Sequence, residues 1–202
     1  MVSYTYYLLK HLYKGVWFRR QEECEKIVHL TFDDGPIPEV TNWVLDVLRQ
    51  YNIKATFFCI GDNVRKYPDV YAQILAEGHS VGNHTFGHLR GFWTKSKTYV
   101  ENVEKAARYI DSKLFRPPHG IMRMVQKKAL EKKYQIVMSD TISCDYDRDL
   151  APETVLHNVK KHVKNGSIIV FHDSLKAEPN LRYALPKAIE FLLAEGYEFR
   201  KL

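Results

Sequence analysis

Short apolar runs with strand character alternate with helical patterns along almost the whole chain, and that alternation restricts the fold more than any other feature. Strands are expected at 27–32, 54–60, 79–83, 114–116, 134–139, 167–171 and 197–200. Between them the apolar spacing is helical. Val40, Val44, Leu45, Val47 and Leu48 form one stripe, Val70, Ile74 and Leu75 a second, and Val100, Val103, Ala107 and Ile110 a third. Segments 125–130, 152–163 and 181–193 supply the remaining helices. Glu77-Gly78 and Glu195-Gly196 read as helix stops before a strand. Seven strands separated by helices need crossover connections, so the sheet is expected to be mostly parallel, in an α/β fold.

The 202 residues, 45% of them hydrophobic, suffice for one sizeable core. Residues 1–26 are expected to be an N-terminal extension packed on a main domain at 27–202. Lys10, His11, Lys14, Arg19 and Arg20 interrupt the apolar residues of that extension, so it does not read as a signal peptide. No apolar stretch approaches the ~20 residues of a membrane span. The net charge of +6 reads as solvated surface lysine, with attraction to an anionic polymer the lesser reading. No arginine-rich block or nucleic-acid motif is present, and no nucleic-acid partner is expected. Cys24, Cys59 and Cys144 form no CxxC pair and no disulfide framework, and Cys59 belongs to a core run.

The polar residues with chemical potential are not scattered. Asp33, Asp34, His84, Arg116, Asp145 and His172 all fall at or just past the C-terminal ends of expected strands. That is where α/β barrels and open α/β sheets build active sites. In Thr31-Phe32-Asp33-Asp34-Gly35-Pro36, two adjacent carboxylates occupy a strand end before a Gly-Pro turn. Adjacent anions repel, so keeping both ionised requires a cation nearby. In Asn83-His84-Thr85-Phe86-Gly87-His88, two imidazoles lie four residues apart. Asp34, His84 and His88 are a donor set for zinc or another first-row divalent ion, with positions left open for water and substrate. Asp33 then remains as a base. Two surface histidines at this spacing are common, and an Asp before Gly-Pro commonly caps a turn. The combination and its placement favour the metal reading.

Arg116-Pro117-Pro118-His119-Gly120 is a stiff loop in which Arg116 can hold Asp33 through charge-assisted hydrogen bonds. His172 follows Ile168-Ile169-Val170-Phe171 and is either a core-edge histidine or a catalytic acid. Asp145 can polarise it, and Asp140, Asp147, Asp149 and Asp173 are alternatives.

These segments resemble the five ordered motifs of the polysaccharide deacetylases, carbohydrate esterase family four. TFDDGP, HTFGH, RPPHG, Asp145-Tyr146 and VFH carry the resemblance, which covers 27 to about 202. It implies a distorted (β/α) barrel with about seven parallel strands and the active site at their C-terminal ends. It implies that Asp33 is the general base, Arg116 its orienting partner, His172 the general acid and Asp145 the residue tuning it. Asp34, His84 and His88 would bind the divalent metal, most simply Zn2+, with Co2+ or Ni2+ as alternatives. His119, Tyr146 and Pro117 would border the substrate. The chain departs from the family pattern at His119, where Tyr is usual, at Tyr146 for Trp, and at Val170 for Leu.

The implied activity is removal of acetyl groups from N-acetylated sugars of a polysaccharide or oligosaccharide of the chitin or peptidoglycan type. An O-acetyl esterase on glycans such as xylan and a non-catalytic glycan-binding relative are the rivals within the family. An iron oxygenase with two His and one carboxylate would share the ligands, but the alternating pattern lacks the antiparallel strands of a double-sheet jelly roll. A monomer is expected. The lack of a leader points to the cytoplasm, whereas the implied substrate points to the cell envelope.

Overall fold

The computed structural model describes residues 13–20 and 26–202. Eight strands form one all-parallel sheet: β1 (Ile27–Asp33), β2 (Thr56–Cys59), β3 (Ser80–Asn83), β4 (Leu114–Phe115), β5 (Gln135–Ile136), β6 (Thr141–Ile142), β7 (Ser167–His172) and β8 (Glu198–Phe199). The order is β5-β4-β3-β2-β1-β7-β6, and β8 pairs with the start of β1. The helices among the described residues are α1 (Pro38–Gln50), α2 (Gly61–Lys66), α3 (Pro68–Ala76), α4 (Ser96–Ala106), α5 (Met124–Leu130), α6 (Pro152–His162) and α7 (Glu178–Ala194). The sheet curls into a distorted (β/α) barrel. All seven residues of β1 are buried, as expected for a parallel strand covered on both faces.

Strand alternation divides the core. Leu30 and Phe32 of β1, Phe57 and Cys59 of β2, and Ile169 and Phe171 of β7 pack outward against Val44, Leu45 and Leu48 of α1 and Leu185 and Ile189 of α7. Thr31 and Asp33 take the opposite, interior face, as do Phe58 and His172. Phe58 joins Val137 and Ile168 in an interior apolar cluster. Four helices, α1, α3, α6 and α7, carry Pro in the first two positions, where the missing N–H costs no hydrogen bond. Gly78 and Gly196 adopt φ of 80° and 79° just past α3 and α7, the left-handed stop that both Glu-Gly pairs announce.

Three details differ from the sequence reading. β6 was not expected: Thr141 and Ile142 lie in a polar stretch with no apolar run, and only pairing with Ile169 and Val170 makes them a strand. The short α2 was missed for the same reason. On α4 the buried stripe is Tyr99, Val103 and Ala106, one residue off the expected Val100 and Ala107, which are half-buried; Leu75 of α3 faces solvent. Cys59 is buried as expected, and Cys24 lies outside the described residues.

Residues 13–20 run from β5, at one edge of the sheet, to the start of β7. The Trp17 backbone donates to Ile136 O (3.0 Å) and accepts from Met138 N (2.7 Å), and Arg20 N donates to Gly166 O (2.9 Å). Tyr13 and Phe18 are buried in the cluster formed by Tyr99, Phe115, Leu130 and Ile136. Among the described residues no helix is long and apolar enough to cross a membrane.

Candidate active site and metal centre

Strand ends bring the polar residues into one cleft. Asp33 ends β1, His172 ends β7, and the two are register partners on adjacent strands, with both side chains on the interior face. His84 follows β3, Arg116 follows β4, and Asp145 follows β6. Five of the six non-glycine residues with positive φ lie here: Asp34 (85°), Thr85 (66°), His88 (53°), His119 (60°) and Cys144 (64°). Such angles are uncommon for residues with a Cβ and gather at functional sites because surrounding contacts enforce them.

Those contacts can be named. Gly35 N donates to Asp173 Oδ1 (3.0 Å), Thr41 Oγ1 donates to Asp173 Oδ2 (2.6 Å), and Asp173 N donates to Asp33 O (3.0 Å). A Cβ on Gly35 would fall 1.9 Å from Asp173 Oδ2, so only glycine fits this close approach. Asn63 of α2 donates to Asp34 O (2.7 Å). Asn102 of α4 accepts from Phe86 N (2.9 Å) and Gly87 N (3.0 Å), and Asn83 accepts from Thr85 N (2.8 Å). The His84–His88 spacing is thus set by a pinned loop, with no helical turn involved.

Asp34, His84 and His88 offer ligand atoms that all lie within 4.8 Å of one another, the one such cluster among the described residues. Asp34 Oδ1 is 3.7 Å from His84 Nε2 and 3.2 Å from His88 Nε2. That oxygen is buried and has no partner in hydrogen-bond geometry. His84 Nδ1 lies 2.8 Å from Arg116 O, so it carries the proton, and Nε2 presents a lone pair toward Asp34. Burial drives the His84 pKa down to about 4, against the raising effect of Asp33 and Asp34, so this imidazole is neutral at pH 7. Burial would raise the Asp34 pKa, but the contact with His88 and the nearby histidines hold it well below the usual carboxylate range. An unpartnered carboxylate oxygen and a lone pair converging on one point are the environment that a divalent cation completes, and these residues fit one.

Arg116 is buried and donates from Nη1 to Asp33 Oδ1 (2.6 Å) and Thr31 Oγ1 (2.8 Å), and from Nη2 to Met138 O (3.0 Å). Its guanidinium lies over the Phe58 ring at 4.0 Å. Asp33 is therefore fixed beside the cluster, with Oδ2 4.0 Å from His84 Nε2. Across the cleft Asp145 receives His172 twice, at Oδ1 from Nδ1 (2.7 Å) and at Oδ2 from the backbone N (2.8 Å). Burial alone would lower the His172 pKa; Asp145 outweighs it and raises the value to about 9. Of the aspartates that the sequence left open, Asp145 is the one that binds His172. Asp140 instead holds Ser167 and Ile168 N, and Asp173 holds the Gly35 turn.

The expected border residues differ among themselves. The His119 ring packs on His88 at 4.8 Å, and the exposed Tyr146 ring meets His172 edge-on at 5.0 Å. Pro117 is buried, so its part is to shape the loop. Sequence reasoning missed the supporting shell of Asn63, Asn102, Thr41 and Asn180. Their side chains bind backbone groups or residues distant in sequence, and no local pattern marks them.

The family model for polysaccharide deacetylase matches residues 20–137. A peptidoglycan-N-acetylglucosamine deacetylase of Bacillus cereus is 36% identical over 182 residues, covering 87% of this chain and 85% of that protein. The crystal structure of the Bc1960 peptidoglycan N-acetylglucosamine deacetylase superimposes with a TM-score of 0.83 at 31% identity, covering 93% of this chain and 91% of the other. A mutant of BA3943, described as a CE4 family pseudoenzyme with restored enzymatic activity, gives a TM-score of 0.81 at 25% identity over 92% and 68% of the two chains. The strand-end motifs, the barrel and these relatives agree, and the chain belongs to the polysaccharide deacetylase family.

Proposed function

We propose that the chain is a metal-dependent hydrolase that removes the N-acetyl group from N-acetylglucosamine-type sugars of peptidoglycan or a chitooligosaccharide. The observation that carries this is the pairing of an oriented carboxylate, Asp33 on Arg116, with a proton-bearing imidazole, His172 on Asp145, on neighbouring strands beside the Asp34–His84–His88 cluster. A divalent cation in that cluster, zinc by the chemistry of the donors and with cobalt or nickel as substitutes, would polarise the acetyl carbonyl and acidify a water. Asp33 accepts the proton of the attacking water. Arg116 keeps its carboxylate in one orientation, so none of that alignment has to be found during the reaction. His172 donates a proton to the departing amine, which is a poor leaving group without it. At a pKa of about 9 it carries that proton at neutral pH. Tyr146 and His119 flank the cleft and limit how an acetyl group enters.

The peptidoglycan and chitin readings share the same sugar. A proton donor at the leaving group matters more for an amide, whose amine leaves poorly, than for an O-acetyl ester, whose alkoxide leaves more readily. A polymer of this kind lies in the cell envelope, and the proposal places the enzyme's work there. Acetate release from acetylated chitooligosaccharide, soluble peptidoglycan and acetylxylan, before and after chelation and with zinc restored, tests it. Release from the first two that stops on chelation supports it. Release from acetylxylan alone, or release unaffected by chelation, overturns it.

A further inference from the structure

β5 lies at one edge of the sheet, so its outer backbone groups have no regular strand to pair with. Residues 13–20 supply the partner. Trp17 bridges Val137 in parallel register, donating to Ile136 O (3.0 Å) and accepting from Met138 N (2.7 Å). Further on, Arg19 bridges Ser167 at the start of β7, and Arg20 N donates to Gly166 O (2.9 Å). A Cβ on Gly166 would fall 1.6 Å from Arg20 O, so only glycine admits the segment there. At the other end the buried Tyr13 hydroxyl donates to Met122 O and accepts from Met122 N (3.2 Å). The segment is a strap seated at three points.

Two of those points lead into the site. Arg116 holds Asp33 from Nη1, and its Nη2 donates to Met138 O (3.0 Å). Arg116 Nε is buried without a hydrogen-bond partner, so Met138 O is the anchor on the far side of the fork. Met138 therefore takes Trp17 at its N–H and Arg116 at its carbonyl. The half-buried Trp17 side chain packs on the interior cluster of Phe58, Val137 and Ile168, and the Phe58 ring lies 4.0 Å from the Arg116 guanidinium. Trp17 thus supports both the residue whose carbonyl Arg116 reaches and the cluster whose aromatic face it covers. The second route runs through Met122. That residue ends the loop that starts at Arg116 and carries His119, whose ring packs on His88 at 4.8 Å. Tyr13 fixes both backbone groups of Met122.

We propose that Trp17 and Tyr13 are positioning residues for the reaction. The strap fixes the Arg116 fork, and through it the Asp33 carboxylate, and it holds the 116–122 loop against the Asp34–His84–His88 cluster. The inference rests on the deacetylase reading above and concerns how its base is kept in line. A carboxylate held by a fixed fork needs no search for alignment during the reaction, so loosening the fork lowers kcat and leaves KM near its value. A strap that only stabilised the fold would lower the melting temperature and leave kcat unchanged well below it.

The test uses the full metal-loaded chain, with acetate release from acetylated chitooligosaccharide measured well below the melting temperature. Trp17→Ala should lower kcat about tenfold with KM within about twofold of wild type. Trp17→Phe, which keeps a ring in the cluster, should recover to within about threefold, and Tyr13→Phe should lower kcat about threefold. In an Arg116→Lys background, where the planar fork is already gone, Trp17→Ala should cost less than about twofold more, because the two residues act through one contact. Amide hydrogen exchange should quicken in 136–140 for Trp17→Ala and in 116–122 for Tyr13→Phe, with the rest of the sheet unchanged. A kcat within about twofold of wild type in both Trp17→Ala and Tyr13→Phe overturns the proposal. So does an equal loss from Trp17→Ala with and without the Arg116 fork, or exchange that quickens evenly across the sheet. Tyr13→Phe removes a single oxygen, and it decides by kcat and exchange if Trp17→Ala does not fold. A wild-type chain that releases no acetate overturns the deacetylase reading, and the exchange pattern then decides the strap by itself.

Discussion

Two histidines in one cleft, His84 buried and His172 partly buried, are driven in opposite directions. His84 is held at about 4 and His172 at about 9, although burial lowers both. The difference is the acceptor at Nδ1. His84 donates to the neutral Arg116 carbonyl, whereas His172 donates to the Asp145 carboxylate. A carbonyl fixes the tautomer and favours the charged form only weakly, so burial wins and Nε2 is left as a lone pair, suited to a metal. A carboxylate compensates the imidazolium, so the same ring becomes a proton donor. Neighbours thus make one ring suited to the proposed acid and the other to the proposed ligand, as wherever one fold pushes the pKa values of like groups apart.

The comparison breaks most sharply on the ligand side. His84→Ala should lose the metal, and with it activity to background, in metal analysis of the purified protein. His172→Ala should keep the metal and lose about 10²–10⁴-fold in kcat on an acetylated sugar amide, with a smaller loss on an activated acetate ester whose leaving group needs no proton. If both variants retain metal equally, His84 is no ligand. Equal losses of His172→Ala on the two substrates would reduce His172 to a positioning role.

Asp33→Asn comes next in size. The amide can still accept from Arg116, so the geometry survives, but it cannot take a proton from water. We expect metal retained and kcat down about 10²–10³-fold. A variant within about threefold of wild type, roughly 0.6 kcal/mol of barrier, would place the base elsewhere.

A smaller effect carries a sign. As the proposed acid, His172 has to be protonated, so activity should fall as pH rises through about 9. Asp145→Asn removes the anion that favours imidazolium, and this limb of the pH–rate profile should move to lower pH by about one pH unit or more. The pair also stabilises the fold. Because the folded-state value lies above the ordinary 6.5, that contribution is complete below pH 6.5 and is lost as pH rises through about 9. The Asp145→Asn variant should therefore melt lower than wild type at pH 6 by more than it does at pH 10. A limb that stays in place would mean that another group sets it.

The sequence showed what depends on continuous patterns and on residue chemistry. Buried parallel strands such as Ile27–Asp33 and Ser167–His172 are mainly apolar runs ending in an ionisable residue, so both the strand and its ionisable tip were readable. Residue chemistry alone left open which aspartate meets His172, since Asp140 and Asp173 also lie nearby along the chain, and only the family resemblance pointed to Asp145. Only the sheet, by pairing β6 with β7, brings Asp145 to the ring. Likewise no local signal marks Asn102 as the brace of the His84–His88 loop or Asp173 as the anchor of Gly35. A buried amide on a helix face looks like a surface residue until the fold supplies its partner.

The smallest expected effect tests whether charge and orientation at His172 can be separated. Asn180 of α7 is buried, and its Nδ2 donates to the backbone carbonyls of Asp145 (3.2 Å) and Asp147 (2.9 Å), clamping the turn that carries the carboxylate. Asn180→Ala leaves the Asp145 carboxylate in place and removes only the clamp. It should cost about 1–2 kcal/mol of stability through lost hydrogen bonds to buried carbonyls. It should lower kcat about three- to tenfold, since a loosened acid spends less time aligned with the leaving amine. The upper limb of the pH–rate profile should hold its position, because the anion that raises His172 is still present. A limb that moves as far as it does in Asp145→Asn would show that the carboxylate leaves the ring when the clamp is lost. The opposing pKa values of His84 and His172 would then rest on α7 as much as on their immediate partners.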